Sequence, residues 1–289
     1  MKRLTAWVAA GLICTTATAQ DEAGKTSPKS DTIHIGGIII VKKGDSKKVT
    51  EVTLGNKPNP SKRKKVTTNW WIVDLGFSRY SDKTDYTQTG NYLVNKPGST
   101  ALGKKDFDLR GGKSVNVNVW LFMQQISLYK KYFNFKYGLG VELNNYRYKS
   151  TISYREAGQL PYSPAGMLSN APFIFRDSIS FSKNKLAADY LTIPLMLNVN
   201  TKPSHSKRSF SMSMGVSVGY LYSQRNKQKS SDRGKWTNKG DYDLERFKFA
   251  YQAEIGFGHV HLYGSYSPKS IYKNGLDMRP YTFGVRFSN

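Results

Sequence analysis

Residues 132–148 read YFNFKYGLGVELNNYRY. At every second position Phe133, Phe135, Tyr137, Leu139, Val141 and Leu143 form an apolar row, while Asn134, Lys136, Gly138, Gly140, Glu142 and Asn144 fill the other. A period of two marks a strand. The alternation recurs from residue 68 onward. It sets Trp71, Val73, Leu75 and Phe77 against Ile72, Asp74, Gly76 and Ser78. It then sets Val115, Val117, Val119, Leu121 and Met123 against Asn116, Asn118, Trp120, Phe122 and Gln124. Further strands are predicted over Leu191–Val199, Phe210–Val218, Phe249–Phe257, Val260–Ser267 and Tyr281–Phe287. The total is about eight, an even number.

Residue type decides which row meets water. The polar rows are rich in Gly, Ser and Asn, and their only charges are Asp74, Lys136, Glu142, Lys248, Glu254 and Arg286. A water-facing sheet displays many long charged side chains instead. Small polar residues suit a narrow lumen, and a uniform aliphatic and aromatic row suits lipid, which accepts it without interdigitating. The pattern therefore predicts an all-β fold: a transmembrane antiparallel up-and-down β-barrel of about eight strands, its polar lumen largely filled by side chains. The orientation is inverted relative to a lipocalin-type carrier.

Connection lengths agree. With a periplasmic N-terminus, the short links Tyr129–Lys131, Thr201–Arg208 and Gly256–His259 fall inside, and long loops over 81–112, 149–186 and 224–243 fall outside. Aromatic residues gather at strand ends: Trp70, Trp71, Tyr129 and Tyr132 at one, and Tyr146, Tyr148, Tyr190, Tyr220, Tyr222 and Tyr281 at the other. Two interfacial girdles are the expectation.

The run SKNKLAADYLTIPLMLNVN and the ending GLDMRPYTFGVRFSN resemble the outer membrane protein β-barrel family of Gram-negative bacteria, the group of porin-family and PorT-like proteins. The resemblance spans Thr68 to Asn289 and implies a barrel fold without assigning a cargo. The last strand also resembles the signal read by the barrel-insertion machinery, with Gly284 followed by Phe287, although it ends in Ser288-Asn289 rather than an aromatic residue.

The N-terminus has the parts of a cleaved secretory signal over residues 1–19: Lys2 and Arg3, an apolar run, and Ala17-Thr18-Ala19. The mature chain is then expected to start at Gln20. Cys14 is the sole cysteine, and Ile13 before it disfavours lipidation, so no disulfide or thiol chemistry is expected. Residues 20–67 read as a basic periplasmic segment with a linker, KPNPSKRKK. A possible β-hairpin there joins TIHIGGIIIVKK to KKVTEVTLG around Gly44-Asp45-Ser46. Residues 68–289 form the barrel.

The net charge of +24 invites a nucleic-acid reading. Export, dispersed basic residues and the lack of a recognition motif exclude that partner. A basic surface equally fits the phosphates of outer-membrane lipid and lipopolysaccharide, and Lys149, Lys185 and Arg225 at the strand tops are the candidate contacts. The mean hydropathy of −0.54 and the absence of a long apolar run in the mature chain exclude membrane helices.

Three motifs bear on catalysis or metals. GVSVG over 215–219 matches the G-x-S-x-G nucleophile elbow around Ser217, but lies mid-strand rather than on a strand-to-helix turn. His259 and His261 share a strand face at a metal-compatible spacing, yet have no carboxylate or thiol beside them in sequence. His205 stands alone in another turn, and His34 in the tail. Neither a cofactor nor a metal is expected. The six lumen charges, three acidic and three basic, are expected to pair across strands, because an isolated charge inside a narrow barrel is costly. The functional expectation is a non-enzymatic outer-membrane protein with a structural or interaction role, long external loops and a basic tail able to meet a periplasmic partner. The alternatives are a narrow porin-like channel with those six charges as its filter and, third, an outer-membrane enzyme.

Overall fold

The computed structural model describes residues 31–35, 38–42, 52–54, 65–164, 167–201 and 210–287. Residues 1–19, where the signal is expected, most of the expected linker, His205 and the terminal Ser288-Asn289 lie outside the described residues. The chain divides into two units, Met1–Arg63 and Lys64–Asn289.

In the first unit Asp31–Ile35, Ile38–Lys42 and Val52–Leu54 form a three-stranded antiparallel sheet in chain order. The sequence reading had run the first two strands together. Only Gly36 and Gly37 separate them, and a Gly-Gly pair between isoleucine-rich runs is itself a hairpin signal.

The second unit is a ring of eight antiparallel strands. We label them β1 (Val66–Asp82), β2 (Val115–Tyr129), β3 (Phe133–Arg147), β4 (Lys183–Asn200), β5 (Phe210–Ser230), β6 (Phe247–Phe257), β7 (Val260–Tyr266) and β8 (Met278–Phe287). Each pairs with the next in sequence, and β8 pairs with β1 to close the ring. Closure removes the unpaired edges that would otherwise lie in lipid.

The closing pair requires two glycines. Gly76 of β1 faces Gly284 of β8. A Cβ on either would overlap the other strand's backbone, and one on Gly76 would also strike the Tyr263 hydroxyl. The missing side chains leave space that the Tyr263 ring uses to reach across the lumen.

The aliphatic rows face outward. Leu191, Ile193, Leu195, Leu197 and Val199 of β4 are each exposed, while Thr192, Met196 and Asn198 between them are buried. The sequence assignment fails at one place, in β2. The register slips between Trp120 and Phe122, and opposite it Trp71 takes a φ of +54°. The bulge inverts the alternation beyond it. Met123 accordingly turns inward, packing with Ile72 and Trp120, while Phe122 meets the exposed Trp70 on the outer face.

One end of the barrel carries short turns and the other four longer connections. The expected loop over 224–243 is mostly strand: β5 runs to Ser230 and pairs with an arm, Gly234–Lys239. The segment between β7 and β8, not counted among the long loops from sequence, is the fourth connection.

At the loop end an apolar core unites Tyr92, Leu102, Phe107, Tyr146, Tyr148, Ile152, Tyr154, Ile174, Tyr190, Tyr242, Tyr272 and Met278. This corrects the expected girdle. Tyr220, Tyr222 and Tyr281 are exposed, but Tyr146, Tyr148 and Tyr190 are 1% exposed and point inward. Their parity explains it: Tyr146 and Tyr148 continue the row of Asn144, and Tyr190 that of Thr192. At the turn end Trp70, Trp71, Tyr129 and Tyr132 are all exposed.

Candidate functional site

The inward rows of β1, β3, β6 and β8 bring all six lumen charges together in one buried network. Arg286 makes a two-pronged contact with Asp74, Nε to Oδ1 at 2.7 Å and Nη2 to Oδ2 at 2.8 Å, and donates to Glu254 through Nη1. Lys136 Nζ donates to both Glu254 oxygens at 2.8 Å. Lys248 pairs with Glu142. Every one of these carboxylates is 4% exposed or less. Burial of such charges is tolerable only when the remaining lone pairs are also satisfied.

Neutral residues satisfy them. Trp120 Nε1 donates to Asp74 Oδ2 at 2.7 Å, and Asn118 reaches the same oxygen at 3.1 Å. Asn144 donates to Glu142 Oε1 at 2.9 Å, and Asn116 donates to both Asn118 and Asn144. The Tyr263 hydroxyl donates to Asn116 Oδ1 at 2.5 Å. The Arg286 guanidinium lies 5.4 Å from the centre of the Trp120 ring, so one cation is held by two carboxylates and an aromatic face.

His261 belongs here too. Its Nδ1 lies 2.5 Å from Glu254 Oε1, a carboxylate 7 residues earlier in the chain and diagonally across the β6–β7 hairpin. Sequence reasoning missed this contact, together with the roles of Trp120, Asn116 and Tyr263. Asn116 and Trp120 lie on a polar row already marked, whereas the two faces of Val260–Ser267 are not separated in the sequence reading, and all of these pairings depend on register. Among the described residues no group of three or more His, Cys, Asp or Glu is arranged to hold a metal. Ser217 is buried within β5 opposite Pro194 and Ala250, so the G-x-S-x-G run makes no elbow.

The network leaves little room. The void among Glu142, Glu254, Tyr263 and Arg286 is ≈ 10 Å³, space for about one water.

Above it the loops are tied to one another. The Tyr148, Tyr154 and Tyr272 hydroxyls form a chain with 2.7 Å spacings, and Tyr92 donates to the Tyr242 carbonyl at 2.6 Å. Arg176 grips both oxygens of Asp106 at 2.8 Å, and Arg233 pairs with Asp177 at 2.9 Å. Burial pushes the Tyr92, Tyr154 and Tyr272 hydroxyls well above the usual tyrosine pKa, and that of Tyr242 up to about 12.

The three candidate lipopolysaccharide contacts do not form one cluster. Lys185 and Arg225 stand on the neighbouring strands β4 and β5, whereas Lys149 pairs with Asp108 at 3.4 Å, beside Arg79 and Lys104. Lys185 donates to Asn145, and Arg225 pairs with Asp189. Of the assembly-signal residues, Gly284 lies at the closing pair and Phe287 is exposed opposite Val73.

A closed antiparallel ring with an apolar outer wall and a polar, internally bonded lumen defines a transmembrane β-barrel. The family model described as outer membrane protein beta-barrel domain matches residues 71–268, and the chain belongs to that family. Among solved structures it is similar to that of Ail, the attachment invasion locus protein of Yersinia pestis, in complex with the heparin analogue sucrose octasulfate. The identity is 9%, over 77% of this chain and 98% of that one, with a TM-score of 0.28. No curated protein matches the sequence.

Proposed function

We propose that this outer-membrane barrel is non-enzymatic and serves a structural or interaction role in the cell envelope, with its interlocked loops outside and its basic segment 20–67 in the periplasm. The observation that carries the reading is the filled lumen. The Asp74–Arg286–Glu254–Lys136 chain and the Lys248–Glu142 pair cross it, and the void beside them is ≈ 10 Å³. Export through a cleaved signal over 1–19 and insertion by machinery reading the strand of Gly284 and Phe287 complete the proposal. It invokes no cofactor and no metal.

The test is single-channel recording of the chain from Gln20 to Asn289, refolded and inserted into planar bilayers. The expected result is silence from inserted protein. Discrete current steps that change with Lys136→Gln or Glu142→Gln would overturn it in favour of a narrow porin-like channel.

A further inference from the structure

The outer wall is not evenly charged at the loop end. Residues directly opposite on paired strands share a face. Arg147 of β3 faces Lys185 of β4, which faces Lys227 of β5. Lys183 faces Lys229, which faces Lys235 of the adjoining arm, and Arg225 faces Lys239. These cations form a ladder across four adjacent strands. The carboxylate on that face is Asp189, held by Arg225. Lys183, Lys227, Lys229, Lys235 and Lys239 pair with no carboxylate among the described residues, although other cations at the loop end do, such as Arg176, Arg233 and Arg279. Crowding like charges at cross-strand positions is unfavourable without a counter-anion.

The position of the ladder says which anion fits. Across the register shift between Asp189 and Tyr190, the same face of β4 and β5 leads on into the exposed apolar row of Leu191, Ile193, Val216 and Met214, with Tyr220 and Tyr222 exposed between on β5. Arg225 lies three residues beyond Tyr222, about 10 Å along the strand. Lys227 and Lys229 extend the climb by a further ~13 Å. A ligand whose chains lie on the apolar row and whose anionic groups rise along the wall satisfies both surfaces. A soluble polyanion satisfies only the upper one.

We propose that this face, between β3 and the Gly234–Lys239 arm, binds the phosphorylated saccharide headgroup of an outer-leaflet glycolipid. The inference rests on the loops facing outward, as in the functional reading above.

The test compares two fourfold variants of the full mature chain, each checked for folding by its heat-dependent gel shift. One carries Lys185→Gln, Lys227→Gln, Lys229→Gln and Lys239→Gln. The other removes the same charge elsewhere in the loops, by Lys96→Gln, Lys104→Gln, Lys105→Gln and Lys113→Gln. Binding of purified lipopolysaccharide, intact or dephosphorylated, is measured in chelator-treated detergent micelles, beside a soluble sulfated polysaccharide. The ladder variant is expected to lose affinity about tenfold or more and the control to keep it, with dephosphorylated glycolipid binding weakly to the unaltered chain. Equal loss in both variants, no loss in either, or equally tight binding of the soluble polysaccharide would overturn the proposal. Protease access to the arm in intact cells separates the two claims. A protected arm refutes the outward orientation, and a cleaved arm without glycolipid binding refutes this inference alone.

Discussion

Arg286 illustrates how much of the lumen depends on one side chain. Two carboxylates, Asp74 and Glu254, converge on its guanidinium, and all three groups are buried. Arg286→Met would leave Asp74 with only its Trp120 and Asn118 donors, and Glu254 with Lys136 and His261. Removing one partner of a buried pair costs about 3–5 kcal/mol. A fall of that size in stability to urea, measured in detergent, is the expected outcome. The conservative Arg286→Lys should recover only part of it, because an ammonium cannot reproduce the two-pronged contact. At the closing pair, Gly284→Ala is expected to slow or block folding, read as loss of the heat-resistant gel species. The added methyl group meets the β1 backbone rather than a movable side chain.

Among the elements, the loop end has its own chemistry. Its buried tyrosines have hydroxyls whose pKa is raised in the folded state above the unfolded value near 10. A raised folded pKa means that the stabilisation is complete below pH ~10 and fades as pH rises toward the folded values. Tyr242, pushed up to about 12, marks the lower reach of that window. Alkaline titration followed at the tyrosinate band should show these hydroxyls ionising late and together with release of the loops.

Some of these elements were legible in the sequence and others were not. The outward rows over Phe133–Leu143, Leu191–Val199 and Phe210–Val218 were readable because lipid selects apolar residues at every second position and no break in alternation falls within them. The inward turn of Tyr146, Tyr148 and Tyr190 was equally readable from parity, and was hidden by the expectation that aromatic residues at strand ends mark an interface. The β2 inversion was not readable. It depends on a bulge opposite Trp71, and an unbroken apolar run of Trp, Leu, Phe and Met gives no sign of where the phase breaks. The six lumen charges stood out by residue type, but their partners depend on barrel closure: Arg286 and Asp74 meet only because β8 returns to β1.

For the whole molecule, the unit Lys64–Asn289 contains the entire ring and both of its buried cores. A chain starting at Lys64 is therefore expected to refold into detergent micelles with the same gel shift and β-sheet spectrum as one starting at Gln20. Failure to do so would make the basic segment part of the folding unit. With the loop end outside, as proposed above, its cross-ties have a further consequence for how the cell surface is recognised. Tyr92, Tyr154, Tyr242 and Tyr272 come from four different connections yet share one core, so the exposed relief there is a composite of distant pieces of chain. An immune response to intact cells would select conformational epitopes on that relief, and antisera raised against any one connection as a free peptide would recognise the denatured polypeptide but not the native surface.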